Sequence, residues 1–137
     1  MSWQSYIDSS LVGSGHIDKA AISSAAGDSI WAASQWFNIR SYELKEIAKI
    51  LEAAESPAED QSAVATAQAE GIHVAGERYV VARIDERTIY ARSGREGVVI
   101  VRTTQAIIIA HHDETQVAGR ASATAEALAD YLISVGY

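Results

Sequence analysis

The spacing of apolar residues changes period several times along this chain, and each change marks an element. Residues 3–12 place Trp3, Tyr6, Ile7 and Leu11 at helical spacing, with Ser2 as a cap and Gly13 as a stop. The stretch "AAISSAAGDSIWAAS" predicts two short strands around the turn "AAGD". In "SYELKEIAKILEAAE", Leu44, Ile47, Ala48, Leu51 and Ala54 form one helical stripe, opened by Ser41 and ended by Ser56-Pro57. Residues 56–70, "SPAEDQSAVATAQAE", are small and acidic and predict a surface loop with room for a helical turn. Five strands follow, "IHVA", "RYVVARI", "TIYAR", "VVIVRT" and "AIIIAHH", joined by segments short enough to force antiparallel neighbours. A helix over roughly 121–134 closes the chain, with Leu128, Tyr131, Leu132 and Val135 as its inward stripe. There are no internal repeats.

Helix, two strands, helix, five strands, helix is an α+β order, with helices packed on an antiparallel sheet. At 137 residues the chain suits a single domain, with 56–70 as a loop inside it. Two terminal helices on one face would bring both chain ends together, and with them their aromatics.

Composition narrows the compartment and the partners. There is no cysteine, which points to a reducing, cytoplasmic setting, and no apolar run long enough to span a membrane. A net charge of −7 argues against non-specific nucleic-acid binding. That charge is uneven: residues 1–70 carry −6 and residues 71–137 carry −1. Six arginines, Arg78, Arg83, Arg87, Arg92, Arg95 and Arg102, fall within 25 residues. They serve either as edge-protecting side chains on strands or as a basic docking surface.

Trp3, Tyr6, Trp31, Tyr131 and Tyr137 are candidates for one aromatic patch. Such a patch suits a proline-rich ligand, which adopts the polyproline II helix at little ordering cost and offers flat rings for stacking. Prolines have carbonyl acceptors but no N–H, so the reader must supply donors, as Trp N–H and Tyr O–H do. The competing reading of Trp3 and Tyr6 is a core stripe; their place at a terminus favours the patch.

Over residues 1–34 and 71–137 the sequence resembles the profilins, small actin-monomer-binding proteins, of the fungal kind. The resemblance is carried by "MSWQSYIDSSLVGSG", "KAAISSAAGDSIWAAS", "GERYVVARIDERTIYARSGREGVVIVRTTQAIIIAHH" and "EALADYLISVGY". It implies an α+β fold with a central antiparallel sheet of about six or seven strands, the terminal helices on one face and further helices on the other. It implies poly-L-proline binding through Trp3, Tyr6, Trp31, Tyr131, Leu132 and Tyr137, with formin-like proteins as proline-rich partners. It also implies binding of monomeric actin, with faster nucleotide exchange, through Arg78, Val81, Arg83, Arg92 and Gly119, to which Arg95 is added as a neighbour. Acidic headgroups of phosphatidylinositol bisphosphate could use the same arginines. The expected state is a monomer without metal or cofactor.

The sequence departs from the family pattern in three places. The 56–70 segment is longer and more acidic, Ala123 replaces a common basic residue, and Trp36-Phe37 is bulkier than usual.

An enzyme finds little support. "VGSGHIDK" lacks the spacing that wraps phosphates, "GDS" is not a nucleophile elbow, and His111-His112 on a strand point to opposite faces. The alternative is a small-molecule sensory domain of PAS-like architecture, but that needs an internal cavity where these strands carry bulky Val and Ile.

Overall fold

Local capping begins the fold. In the computed structural model, which describes residues 2–58 and 60–137, Ser2 Oγ accepts the Ser5 N–H at 3.2 Å and opens helix α1 (Trp3–Ser5). The helix then widens into π-helical turns over Tyr6–Leu11 and tightens to a 3-10 turn over Val12–Ser14. The stop is Gly15 rather than Gly13. Gly15 takes the left-handed φ of +81° that ends a helix, while a Cβ on Gly13 would lie 2.8 Å from the Asp8 carbonyl oxygen.

Strands β1 (Lys19–Ser24) and β2 (Ile30–Ala33) form the expected hairpin. Helix α2 spans Ser41–Glu55 and buries Leu44, Ile47, Ala48, Ile50 and Leu51. Its cap is Arg40, not Ser41. The work is done by Glu43, whose buried carboxylate accepts the Arg40 N–H at 2.9 Å. The same carboxylate takes the N–H groups of Ala75 (3.0 Å) and Gly76 (2.8 Å), so one buried acid fixes both the helix start and the tight turn at Ala75-Gly76.

Where residues 56–70 read as a loop, the chain forms helix α3 (Ser62–Glu70). Asp60 Oδ1 accepts the Ser62 N–H at 2.9 Å, and this bond and the Ser62 side chain hold its carboxyl below the usual range. The helix was hidden because alanines make no strong apolar stripe. Only Ala67 is buried, with Ala63 and Val64 packed beside it.

The remaining strands are β3 (Ile72–Val74), β4 (Glu77–Ile84), β5 (Thr88–Ser93), β6 (Glu96–Arg102) and β7 (Ala106–His112), followed by helix α4 (Ala118–Ser134). All seven strands join one antiparallel sheet in the order β2-β1-β7-β6-β5-β4-β3. The first hairpin thus closes on the last strand, with six aligned pairs from Lys19↔His111 to Ser24↔Ala106.

Alternation along the strands builds two cores. Ile72, Tyr79, Ile89, Val98, Ile100, Ile107 and Ile109 pack with α2 and α3 on one face. Ile22, Val99, Val101 and Ile108 pack with Ile7 and Leu11 and with α4 on the other. The inner stripe of α4 is Ala121, Ala125, Leu128, Ala129 and Leu132, and its small residues let the helix sit close to the sheet. Tyr131 and Val135, expected in that stripe, are each 49% exposed.

His111 and His112 leave β7 on opposite faces. His111 Nδ1 lies 2.6 Å from Asp18 Oδ1, with the Phe37 and Tyr79 rings beside it. His112 packs against Gly97 on the α4 side. Arg87 at the start of β5 clips α4 down through Glu126 (2.5 Å) and Asp130 (2.9 Å), and Thr88 joins at Glu126.

A Cβ added to Gly97 would meet His112 Nε2 at 2.6 Å and the Ala91 carbonyl oxygen at 2.9 Å. Gly97→Ala is therefore expected to lower the unfolding free energy by roughly 2 kcal/mol in urea titrations, since a strand backbone cannot yield cheaply. Gly119→Ala, with open space around it, should cost nothing.

Burial, first of all, holds the His112 imidazole below its ordinary value of 6.5. Unfolding lets it take a proton, so stability should fall as pH drops from 6.5 and level off below the folded-state value. Melts of His112→Gln should show a shallower decline over that window.

Candidate functional site

The pitch change in the first helix decides how its side chains divide. Ile7 and Leu11 point inward and are fully buried, anchoring the segment on β1 and α4. Trp3 and Tyr6 are left half-buried at the surface. Trp31 projects from the edge strand β2, and Tyr131 from the outer flank of α4.

These rings, drawn from four separate segments, form one continuous row. Trp3 lies 4.7 Å from Trp31 and 5.7 Å from Tyr6, centroid to centroid. Tyr6 lies 6.2 Å from Tyr131, and Tyr137 meets Trp3 edge-on at 5.1 Å. These separations are those of favourable tilted and edge-to-face pairs.

Tyr137 is held by its backbone. Its carbonyl oxygen accepts from Thr103 Oγ1 (2.7 Å) and the Gln105 N–H (2.5 Å), while the Gln105 side-chain amide donates to the Gly136 carbonyl at 2.8 Å. Gly136 takes a φ of +96°, which turns the chain off the end of α4 and onto the β6–β7 turn. The Thr103 hydroxyl therefore positions an aromatic ring without touching it, a role its place in a strand-turn sequence did not reveal.

Burial, followed by a hydrogen bond with Tyr131, pushes the Tyr6 phenol above the ordinary tyrosine range. The Tyr6 phenol therefore keeps its proton at neutral pH. The shelf is thus apolar on its faces and carries hydroxyl donors at its edge. Leu132, expected among these residues, is only 1% exposed and supports the shelf from beneath.

The arginines divide differently from their grouping in sequence. Arg87 is spent on α4, and Arg102 pairs with Glu55 of α2 at 3.5 Å. Arg78, Arg83, Arg92 and Arg95 are exposed. Arg83 lies 4.3 Å over the Tyr90 ring and pairs with Asp85 at 3.2 Å, while Arg78 Nε donates to the Glu70 carbonyl at 2.8 Å.

Strand pairing aligns Val80 with Arg92 and Arg83 with Tyr90, which groups these residues on the α4 face of β4 and β5. Val81 belongs to the opposite face and packs on the α2–α3 core, so it is not part of this surface. Its neighbour Val80 is 55% exposed there instead, a one-residue step that alternation turns into a change of face. Gly119 is exposed in the first turn of α4, and Arg95 sits in the β5–β6 turn. Helix α4 separates the two surfaces: Tyr131 looks toward the N-terminal helix, and Glu126 and Asp130 look toward β5.

Trp36 is 81% exposed at a left-handed φ of +67°, a rare conformation for a bulky residue. The adjacent Phe37 is buried and accounts for the ordinary packing of that loop.

The profile of the family described as Profilin matches residues 1–137. The profilin of Schizosaccharomyces pombe is 43% identical over 137 residues, covering all of both chains. A crystal structure of Schizosaccharomyces pombe profilin superposes with a TM-score of 0.89 at 41% identity, covering 99% of this chain and 100% of that one. Mouse profilin IIa, solved with a double repeat from the FH1 domain of mDia1, shares the fold with a TM-score of 0.73 at 21% identity, covering both chains fully.

Thr103→Val should free the Tyr137 ring from Trp3. The expected readout is a shift in tryptophan emission with near-native far-UV circular dichroism; unchanged emission would mean that the carbonyl contacts do not hold the ring.

Proposed function

This chain belongs to the profilin family, and from that premise we propose that it binds proline-rich segments on the aromatic shelf and monomeric actin on the arginine-bearing surface beyond α4. The observation that carries the first half is the unbroken row Trp31–Trp3–Tyr6–Tyr131, with Tyr137 edge-on to it. Trp3, Tyr6 and Trp31 rest their inner edges on the core while Tyr131 and Tyr137 stay exposed, so the row presents ring faces to solvent.

A proline-rich strand in the polyproline II conformation presents rings for stacking every three residues and carbonyls that need donors. The indole and phenol groups of Trp3, Tyr6, Trp31, Tyr131 and Tyr137 supply both, while Leu132 packs beneath. The mouse relative solved with an FH1 repeat supports the same class of ligand for this chain, formin-like proteins among its sources. The raised Tyr6 phenol keeps its proton, and with it a hydroxyl donor, through the neutral range.

On the second surface, Arg78, Arg83, Arg92 and Arg95 form an exposed basic group on an otherwise acidic protein, with Val80 exposed among them; Gly119, exposed in the first turn of α4, is assigned to the same partner. An acidic partner such as monomeric actin is steered and oriented by such a group. Binding there would regulate polymerisation and nucleotide exchange, in the cytoplasm and with the actin cytoskeleton. Phosphatidylinositol bisphosphate headgroups would compete for the same arginines. Because α4 separates the surfaces, both partners fit at once.

Trp3→Ala should cut affinity for a proline decamer by about tenfold or more in a tryptophan-fluorescence titration, as expected for a stacking anchor. Tyr6→Asp should abolish it, since a carboxylate adds no donor beneath proline rings. Both variants should sequester actin monomers normally in a pelleting assay. Arg78→Glu with Arg83→Glu should do the reverse, lowering actin affinity by roughly ten- to a hundredfold while proline binding is kept. Joint loss of both activities in a folded variant would refute two separable surfaces.

A further inference from the structure

Of the four arginines on the second surface, Arg78 is the one tied to a helix. Its Nε donates at 2.8 Å to the carbonyl oxygen of Glu70, the last residue of α3. We propose that α3 is a positioning element for that surface: docked, it holds Arg78 ready for an acidic partner, and loosened, it releases the guanidinium. The proposal rests on the arginine-surface reading above and names what sets the strength of that contact.

The bond meets a need on both sides. A helix ends in carbonyls that have no partner within it, and its C-terminus favours a cation. Helix α3 has no basic residue in its own last turn, so the charge comes from β4. Gly71 makes the close approach possible, with a φ of +83° where the chain passes from α3 into β3. A Cβ there would lie 2.4 Å from the Tyr79 carbonyl oxygen and 3.4 Å from Arg78 Nε, so a side chain at 71 would drive the two segments apart.

The grip on α3 is otherwise slight. Ala67 is its one buried residue, and a crevice of about 160 Å³, bounded by Tyr42, Thr66, Glu70 and His73 among others, opens between it and the start of α2. A helix with so little burial opens more easily than the sheet beneath it. Arg78 is exposed and makes no ion pair among the described residues, so the Glu70 carbonyl is what orders its side chain. Arg83, by contrast, is ordered within its own hairpin by Asp85 and the Tyr90 ring, whatever α3 does. An arginine held in place beforehand loses less rotamer freedom on binding, which is worth about three- to tenfold in affinity. The departure of residues 56–70 from the family pattern thereby reaches the basic surface.

The test is a double-mutant cycle on affinity for actin monomers. Ala65→Gly with Ala69→Gly, both at exposed positions, loosens α3 through helix propensity alone. Faster hydrogen exchange of the Gly71 amide, which closes the last turn on the Ala67 carbonyl at 2.8 Å, reports the loosening. Actin affinity should fall about three- to tenfold, with proline-decamer affinity kept within about twofold. In an Arg78→Ala background, itself weakened, the glycine pair should change actin affinity by less than about twofold. Gly71→Ala, which acts on the junction rather than on the helix, should repeat both results. Saturating actin should in turn slow exchange of the Gly71 amide in the wild type but not in Arg78→Ala. Equal losses from the glycine pair with and without Arg78, or protection of Gly71 that persists in Arg78→Ala, mean that α3 touches actin itself and overturn the proposal. Unchanged actin affinity in both the glycine pair and Gly71→Ala overturns it as well. Wild-type protein that binds no actin instead refutes the arginine surface, a separate outcome read before the cycle is begun.

Discussion

The pairing of β1 with β7 is the constraint from which the rest of this molecule follows. It joins residues 19–24 to 106–111, across most of the chain, and inserts the first hairpin beside the last strand. That pairing seats the N-terminal helix next to α4 on one face, because Ile7 and Leu11 need the same apolar floor as Leu128 and Leu132. Without it the five terminal and edge aromatics would have no common location. A non-local ladder of this kind is costly in loop entropy, and two dense cores on either side of the sheet offset that cost.

The division of the sheet into two faces also decides what each polar residue does. Alternation sends His111 and His112 to different cores and Val80 and Val81 to different surfaces. Ion pairs then sort the arginines, committing Arg87 and Arg102 to helices and leaving the others on the open part of the sheet. Charge density along the chain is thus a poor guide to a docking surface. What counts is which strand face a residue occupies and whether an acid from a helix reaches it first.

The aromatic shelf shows how much of a site lies in supporting groups. Its rings were legible as candidates from their terminal positions. Their spacing depends on a π-helical widening, on a left-handed Gly136, and on the Thr103 and Gln105 contacts that hold Tyr137 against Trp3. Leu132 was read as part of the surface and lies under it, since α4 turns its alanine-rich stripe inward and leaves Tyr131 outside. Helix α3 escaped notice for the converse reason: a helix needing only Ala67, Ala63 and Val64 against its neighbour leaves almost no periodic signal.

By itself the sequence determined the strands, the long helix and the aromatic inventory, because alternation, turn chemistry and the stripe from Leu44 to Leu51 are local properties of the chain. The resemblance of its two blocks to profilins determined the family. Only the tertiary structure decided the strand order, which arginines are committed to helices, and which valine faces outward. Those outcomes depend on contacts between residues far apart in sequence, where one position of register or one competing carboxylate changes the result.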